Sequence, residues 1–363
     1  MYYRLRPTVD IVPLVEDRLL LRTDTVSIRV EGGFAGVLQR SILPALDGRL
    51  DLPELARRLQ VPAETLRNNF EELVGTGVLE CSPAPFSPIQ PDSRLNLFRA
   101  LGVEDEVLEK RFGSSRIAVF GLERPGALTA EALLAAGFLN LMLVDHTPAQ
   151  GGDFLPDEVG AGISREELVS ARLKRRYPRS FIEISGRPAI TREITMELAR
   201  GRDLLVACWD QGFSSGNHWV NRAAHALQVP ALFCEFGGVQ ALAGPFVVPG
   251  LTACFMCARM RAVAAKEDYE EAMAYERYLD QLKSPHHSRR EVLAPAIATV
   301  ASMLASEAVR YIVLNQRPAL AGCIIEYDPF ELSIRRHALL EHPSCPVCSE
   351  KKNSRMTIPA CGN

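Results

Sequence analysis

The chain shows almost no excess of either charge: Lys and Arg number 41 against 44 Asp and Glu, for a formal net charge of -3. No polycationic surface marks it as a binder of nucleic acid or anionic lipid, so neither is expected as a partner. It also has no purely apolar run of the roughly 18 residues or more that a bilayer span requires. The best candidate, residues 293–314, is broken by Glu307 and Arg310. The opening MYYRLRPTVD lacks the basic-then-apolar layout of a secretion signal. These absences together predict a cytoplasmic protein, in which cysteines serve as thiols or metal ligands and not as disulfides. Internal repeats are not evident, and an apolar content of 47% supplies a core and excludes wholesale disorder. At about 150 residues per domain, 363 residues suggest two or three domains.

Four of the nine cysteines form two CxxC pairs, Cys254 with Cys257 in TACFMCARM and Cys345 with Cys348 in PSCPVCSEK. A tight CxxC turn aims two thiolates at one ion, and two such turns complete a tetrahedral tetrathiolate site for zinc. A redox dithiol is the other common use of a single CxxC, but the doubled motif favours Zn2+. Four protein ligands leave no open coordination position, so the zinc is expected to be structural. Cys208, Cys234 and Cys323 sit in apolar runs as small core residues, and Cys81 and Cys361 are scattered.

Residues 1–82 read as a small winged helix-turn-helix (α+β) module. Short β-prone runs at 10–15, 18–23 and 25–31 are followed by helical segments at 34–46, 51–60 and 63–73. The second helix opens on DLPEL, an Asp cap with Glu three residues on. The commonest use of such a module is binding DNA, but this one holds ten Arg, no Lys and twelve acids. Its third helix, AETLRNNFEEL, sets one Arg against three Glu, a face that repels phosphates. A peptide suits it better, because the edge of a three-stranded sheet accepts an added strand.

CSPAPFSPIQP is rich in Pro and Ser, which places a linker at 83–95. The main domain spans 96–350, leaving a tail at 351–363. Residues 116–120 read as a strand, 121–126 as a glycine turn leading into a helix through 136, and 140–145 as a strand ending in an acid. Alternating helices and strands follow, 165–177, 180–184, 193–200, 203–209, 218–227 and 231–235, so the fold class is α/β, a mostly parallel sheet with helices on both faces. The turn itself, GLERPG, departs from a phosphate loop: Glu123 brings a carboxylate and Pro125 has no N–H to donate. His286 and His287, with no third ligand at helical or turn spacing, read as a solvated loop, and residues 266–277 as a solvated helix with Lys266 paired to Glu270.

In this order, VFG with the glycine turn, LMLVDH, SREELVSARLKRRYP, LLVACWDQ, the two CxxC blocks and APAIATVASMLASEAVRYIV resemble the ThiF-like superfamily. Its members are adenylating proteins related to ubiquitin-activating enzymes. The resemblance implies a Rossmann-type sheet in which Gly121 and Gly126 flank the phosphate loop and Asp145 meets the ribose. It further implies that Arg165 lies near the phosphates and that Asp210 is associated with magnesium. The family loop is close to GxGGLG, and the run after its ribose aspartate contacts ATP; here they are GLERPG and HTPAQGGDF. A competent ATP site is therefore not expected, and these five residues are read as a vestigial nucleotide site with no catalytic residue assigned. No thiol lies between Cys257 and Cys323, where many members keep an acceptor cysteine.

A degenerate ThiF-like body behind a small winged module resembles the ocin-ThiF-like partner proteins of YcaO cyclodehydratases, which act in thiazole- and oxazole-modified ribosomal peptide biosynthesis. That implies a leader peptide of a precursor captured on residues 25–31 beside the third helix, with Ile28, Arg29, Val30, Arg67, Phe70 and Glu71 as contacts, and a YcaO partner docked on the body. Self-association as a homodimer stays open. The alternatives are a live adenylating enzyme of the ThiF/MoeB type acting on a peptide carboxylate, and a winged-helix regulator with a sensory domain.

Overall fold

The computed structural model describes residues 1–15, 17–23, 26–86, 97, 98, 101, 103–149, 162–209, 214–237, 239–281 and 293–349. The chain divides into two compact units, Met1–Asp105 and Glu106–Asn363.

The first unit contains two three-stranded antiparallel sheets. One is built from β2 (Asp10–Leu14), β3 (Arg18–Arg22) and β4 (Ser27–Glu31), in that order. The other has β1 (Tyr2–Leu5) at its centre between β5 (Asp47–Asp51) and β6 (Leu79–Ser82). Their helices are α1 (Gly33–Val37), α2 (Leu52–Leu59) and α3 (Ala63–Gly75). Leu19 and Leu21 alternate inward from β3 to meet Ile42, Leu55, Leu66 and Phe70 in one core. Asp51 caps α2 as its sequence suggests, accepting from the Glu54 N–H at 2.9 Å.

The single helix expected over 34–46 is instead α1 followed by a π turn, Leu38–Ile42, and a 3-10 turn, Leu43–Ala45. Pro44 lacks the N–H that a continuing α-helix would need there. The second sheet went unread because YYRL and DGRLD are too short and too polar to show alternation. The first residues after the module are bound to it. Phe86 donates its N–H to the Gly48 carbonyl at 3.0 Å, and the Arg4 guanidinium lies 4.3 Å from its ring centre.

The second unit is an eight-stranded sheet in the order β14-β13-β12-β11-β10-β7-β8-β9. Its strands are β7 (Arg116–Phe120), β8 (Asn140–Val144), β9 (Phe181–Ile184), β10 (Leu204–Ala207), β11 (Ala231–Gly237), β12 (Gln240–Val247), β13 (Cys323–Asp328) and β14 (Ser333–Ala338). β11, β10, β7, β8 and β9 are parallel, and β12 to β14 add an antiparallel edge. Apart from Arg116 at the start of β7, strands β7 and β10 are apolar at every position because both faces are covered.

The helices are α4 (Asp105–Ser114), α5 (Arg124–Ala136), α6 (Arg165–Arg176), α7 (Arg192–Leu198), α8 (Ser214–Leu227), α9 (Phe255–Ala264), α10 (Tyr269–Gln281) and α11 (Ala294–Ala308). Residues of α7, α8 and α9 pack over the face formed by Ala118, Phe120, Ala207 and Phe233. α11 packs on α5 and β12. Residues 294–313 form a 20-residue helical stretch with a mean hydropathy of 1.4, and half of that window is buried within the protein. The solvated helix expected over 266–277 starts later, at Tyr269, because Asp268 accepts from the Glu271 N–H and ends the preceding turn. Lys266 therefore precedes the helix and does not sit one turn before Glu270 within it. Residues 286, 287, 351–363 and Asp210 lie outside the described residues.

Candidate functional site

Strand order reverses at β7, whose neighbours β8 and β10 lead away in opposite directions, so the sheet opens a crevice at the carboxyl ends of these strands. The sequence-derived residues Gly121, Gly126, Asp145 and Arg165 converge there. Gly121 has φ +80°, and a Cβ on it would lie 2.8 Å from the Trp209 ring. A Cβ on Gly126 would lie 1.7 Å from the Gly121 carbonyl oxygen. Both glycines are thus required by the turn and by the close seat of α5 on it, whether or not a phosphate is present.

The crevice is lined by buried polar groups, most of which pair with one another. Asp145 is 0% exposed. Its Oδ2 accepts from the Leu122 N–H at 2.8 Å, and its Oδ1 accepts from the Thr147 N–H at 3.0 Å and from the Thr147 hydroxyl. Arg165, 5% exposed, donates to Thr147 Oγ1 at 2.8 Å and pairs with Glu123 Oε1 at 3.1 Å, with Asp145 Oδ2 3.8 Å away. Glu123 is 4% exposed, and its Oε2 has no hydrogen-bond partner among the described residues. Glu166 holds the neighbouring strands together: its carboxylate accepts from the backbone N–H groups of Asp145, Ser185 and Gly186 and from the Ser185 hydroxyl.

Among the described residues the Glu123 carboxylate pairs with Arg165, Pro125 has no N–H to donate, and both Asp145 oxygens accept hydrogen bonds from nearby backbone N–H groups. Glu166, Thr147 and Trp209 were not singled out from sequence. Thr147 lies three residues past β8 and Trp209 two past β10, and that placement was the available signal.

The tetracysteine centre is assembled as the doubled CxxC motif predicts. Cys254 precedes α9 and Cys257 lies in its first turn, while Cys345 and Cys348 arrive on the turn after β14. The Sγ atoms of all four lie within 4.8 Å of one another. Cys254 to Cys257 is 3.8 Å, Cys254 to Cys345 is 3.5 Å and Cys257 to Cys348 is 3.3 Å. Four sulfurs each ~2.3 Å from one ion would sit about 3.8 Å apart, so the set fits tetrahedral zinc.

The electrostatics agree with that fit. Hydrogen bonding from Cys254, joined by the His342 N–H and Cys348, holds the Cys257 thiol down at about 4. The Cys254 thiol is raised, chiefly by that same shared hydrogen bond, and burial pushes Cys348 up to about 12. Four such thiols ionise together only when a cation supplies the missing charge. The turn is steadied by Arg261, which donates to the carbonyl oxygens of Leu340 and Glu341 at 2.9 and 3.1 Å. With every ligand supplied by protein, a bound ion here braces the fold and has no open position for substrate.

In the first unit, β4 pairs with β3 on one side, and its other edge is open among the described residues. Ile28 and Val30 are half-buried and pack against the core, whereas Arg29 is exposed on the opposite face. Arg67 and Glu71 lie exposed on α3 and act on Tyr3 of β1. Burial raises its phenol, Cys81 and Glu71 add to the rise, and Arg67 opposes it. Phe70 is a correction: at 1% exposure, with its ring 5.1 Å from that of Tyr3, it is core and cannot touch a docked peptide directly.

A doubly wound sheet with an acid-terminated second strand at the switch point and a tetrathiolate behind it defines the α/β nucleotide-fold class. The chain belongs to the ThiF family, whose profile matches residues 93–347. It is 24% identical over 261 residues to the sulfur carrier protein adenylyltransferase of Thermus thermophilus, covering 69% of this chain and 88% of that protein. It is 26% identical over 253 residues to ubiquitin-like modifier-activating enzyme 5 of Arabidopsis thaliana, covering 60% of this chain but only 56% of the relative's length. Among solved structures, E. coli MccB superposes with a TM-score of 0.68 at 16% identity, covering 98% of this chain and 99% of MccB. The heterocyclase TruD superposes with a TM-score of 0.61 at 19% identity, covering 96% of this chain and 43% of TruD. At these identities the two superpositions establish the fold.

Proposed function

We propose that the chain is a peptide-binding partner protein: a leader-recognition module over residues 1–82, a linker over 83–95 and a ThiF body over 96–350. The module captures the leader of a ribosomal precursor peptide as an added strand on β4, and the body docks a YcaO cyclodehydratase. That enzyme would form azoline or azole rings in the core peptide, in the cytoplasm, while this chain raises the local concentration of substrate and makes no bond itself.

The observation that carries the reading is the asymmetry of the two sheet edges in the first unit. β2 is blunted by Pro13, which has no N–H to offer an incoming strand, whereas β4 runs as SIRVE with no proline. Ile28 and Val30 then present half-buried apolar side chains for the alternate residues of an added strand. Two descriptions among the structural neighbours point the same way. MccB, a microcin biosynthetic enzyme, has been determined in complex with N-formylated MccA, and TruD is described as a heterocyclase. Fluorescence anisotropy of the full chain with a labelled leader, taken from the precursor encoded beside its gene, tests the reading. Saturable binding supports it, and no binding to any neighbouring precursor removes it.

A second reading has its own support in the adenylyltransferase names of the sequence relatives. In it the chain activates a peptide carboxylate, with Arg165 and Asp210 on the nucleotide. ATP–pyrophosphate exchange in the presence of the precursor decides between the two, because exchange abolished by Asp210→Ala would replace the partner-protein reading with this one.

A further inference from the structure

We propose that the edge strand β9, together with the basic end of α6 that leads into it, is a docking surface for an acidic, extended polypeptide segment of a partner protein. The near-neutral balance of the whole chain conceals a local excess: residues 172–179, RLKRRYPR, hold five bases and no acid. Lys174, Arg175, Arg176 and Arg179 are all exposed. Arg176 pairs with Glu131 at 2.6 Å, and Glu183 of β9 is taken by Arg202 at 3.2 Å. Lys174, Arg175 and Arg179 pair with no acid among the described residues. Basic side chains in a last helical turn favour the helix dipole, which accounts for Lys174 to Arg176 but not for Arg179 beyond the helix end.

The strand beside that charge can be extended. β9 pairs only with β8 among the described residues, so it ends the sheet. Phe181 and Ser185 donate their N–H groups to the Leu139 and Leu143 carbonyls. Backbone groups alternate along a strand, so those of Ile182 and Ile184 face away from the sheet. No proline interrupts FIEI, and Phe181 stands 61% exposed just after the basic turn, with Ile184 exposed as well. An added strand supplies partners for the Ile182 and Ile184 backbone and apolar side chains for Phe181, while its carboxylates meet Lys174, Arg175 and Arg179. Nucleic acid or an anionic lipid surface would answer the charge but leave the outward backbone groups unpaired. A second copy of this edge would bring like cations together.

This surface lies on the ThiF body and is independent of leader capture on β4. It is tested on the full chain by fluorescence anisotropy with a short labelled peptide of alternating Glu and Val, against the same peptide with Lys in place of Glu. The acidic peptide should bind saturably and more weakly as salt is raised, and the basic one should not bind. Lys174→Glu/Arg175→Glu/Arg179→Glu should weaken binding by about tenfold or more. Ile184→Pro, which removes one outward N–H, and Phe181→Ser, which removes the exposed ring, should each weaken it by about threefold or more. All three variants should keep the far-ultraviolet spectrum and leader affinity of wild type, so failure here is distinguishable from failure at β4. Absence of binding to the acidic peptide, or equal affinity in the charge-reversed variant, would overturn the proposal. So would wild-type affinity in both Ile184→Pro and Phe181→Ser, since charge alone would then hold the peptide. Displacement of the peptide by an oligothymidylate or by phosphatidylserine vesicles at lower concentration than by unlabelled peptide would overturn it as well.

Discussion

Removing the metal should cost the second unit a large part of its stability. The four ligands join the start of α9 to the turn after β14, and Cys254 and Cys345 are 91 residues apart in sequence. A cross-link closing a loop of that length limits the unfolded ensemble by about 4–5 kcal/mol, and a metal clip acts through the same entropy. For a unit of this size, 1 kcal/mol moves the melting temperature by roughly 2–4 °C, so loss of the clip should lower it by about 10–15 °C.

The ligands also lie inside the core, packed with Phe255, Ala253, Val220 and Leu339. Their loosening therefore reaches the sheet and is not confined to a surface turn. The assay is elemental analysis for zinc together with calorimetry of wild type, chelator-treated protein and the Cys345→Ser/Cys348→Ser variant. Equimolar zinc should accompany wild type and be missing from the variant, which should melt at the lower temperature. A double variant that melts with wild type, or that keeps equimolar zinc, would refute the reasoning.

Three further outcomes are expected. Phe70→Ala should destabilise the first unit by about 3–5 kcal/mol, because the ring is fully buried against Tyr3, and denaturant melts followed by circular dichroism will read the loss. Ile28→Asp should weaken leader binding by roughly tenfold or more, about 1.4 kcal/mol, while leaving the ThiF body's melting unchanged; equal affinity would argue against β4 as the docking edge. Burial raises the Glu307 carboxyl above its ordinary 4.5, so its neutral form is the one the fold favours. Wild type should match Glu307→Gln below pH 4.5 and fall progressively behind it as pH rises toward the elevated folded value, since only the wild-type residue must then be buried with a charge. Melting the two proteins across pH 4 to 8 checks the sign.

Much of the second unit could be read in the chain because its signals are local and strong. Strands such as IAVF and LLVA are apolar throughout, which only a sheet covered on both faces requires. The helix from Arg165 to Arg176 announces itself by the Ser164 and Glu167 capping box. The first unit was less readable. β1 and β5 acquire their strand character from pairing with each other, Tyr2 opposite Asp51, across a long stretch of sequence. The edge strand β14, SIRRHA, is likewise polar and mostly exposed, so its pattern carried little signal.

For the sites the division follows the same physics. Two CxxC spacings were enough to propose four ligands around one ion, because a tight turn fixes the geometry of each pair wherever it lies in the fold. Sequence also marked GLERPG as a departure from the family's glycine loop. Sequence could not show where the unusual carboxylate goes, since its partner, Arg165, comes from α6. Only the folded sheet brings Arg165 to within 3.1 Å of Glu123, and sets the Thr147 hydroxyl against Asp145. Periodicity and spacing determined the elements of the parallel sheet and which residue types could bind metal. The tertiary structure alone decided which buried charges meet, because those contacts are made between segments far apart in the chain.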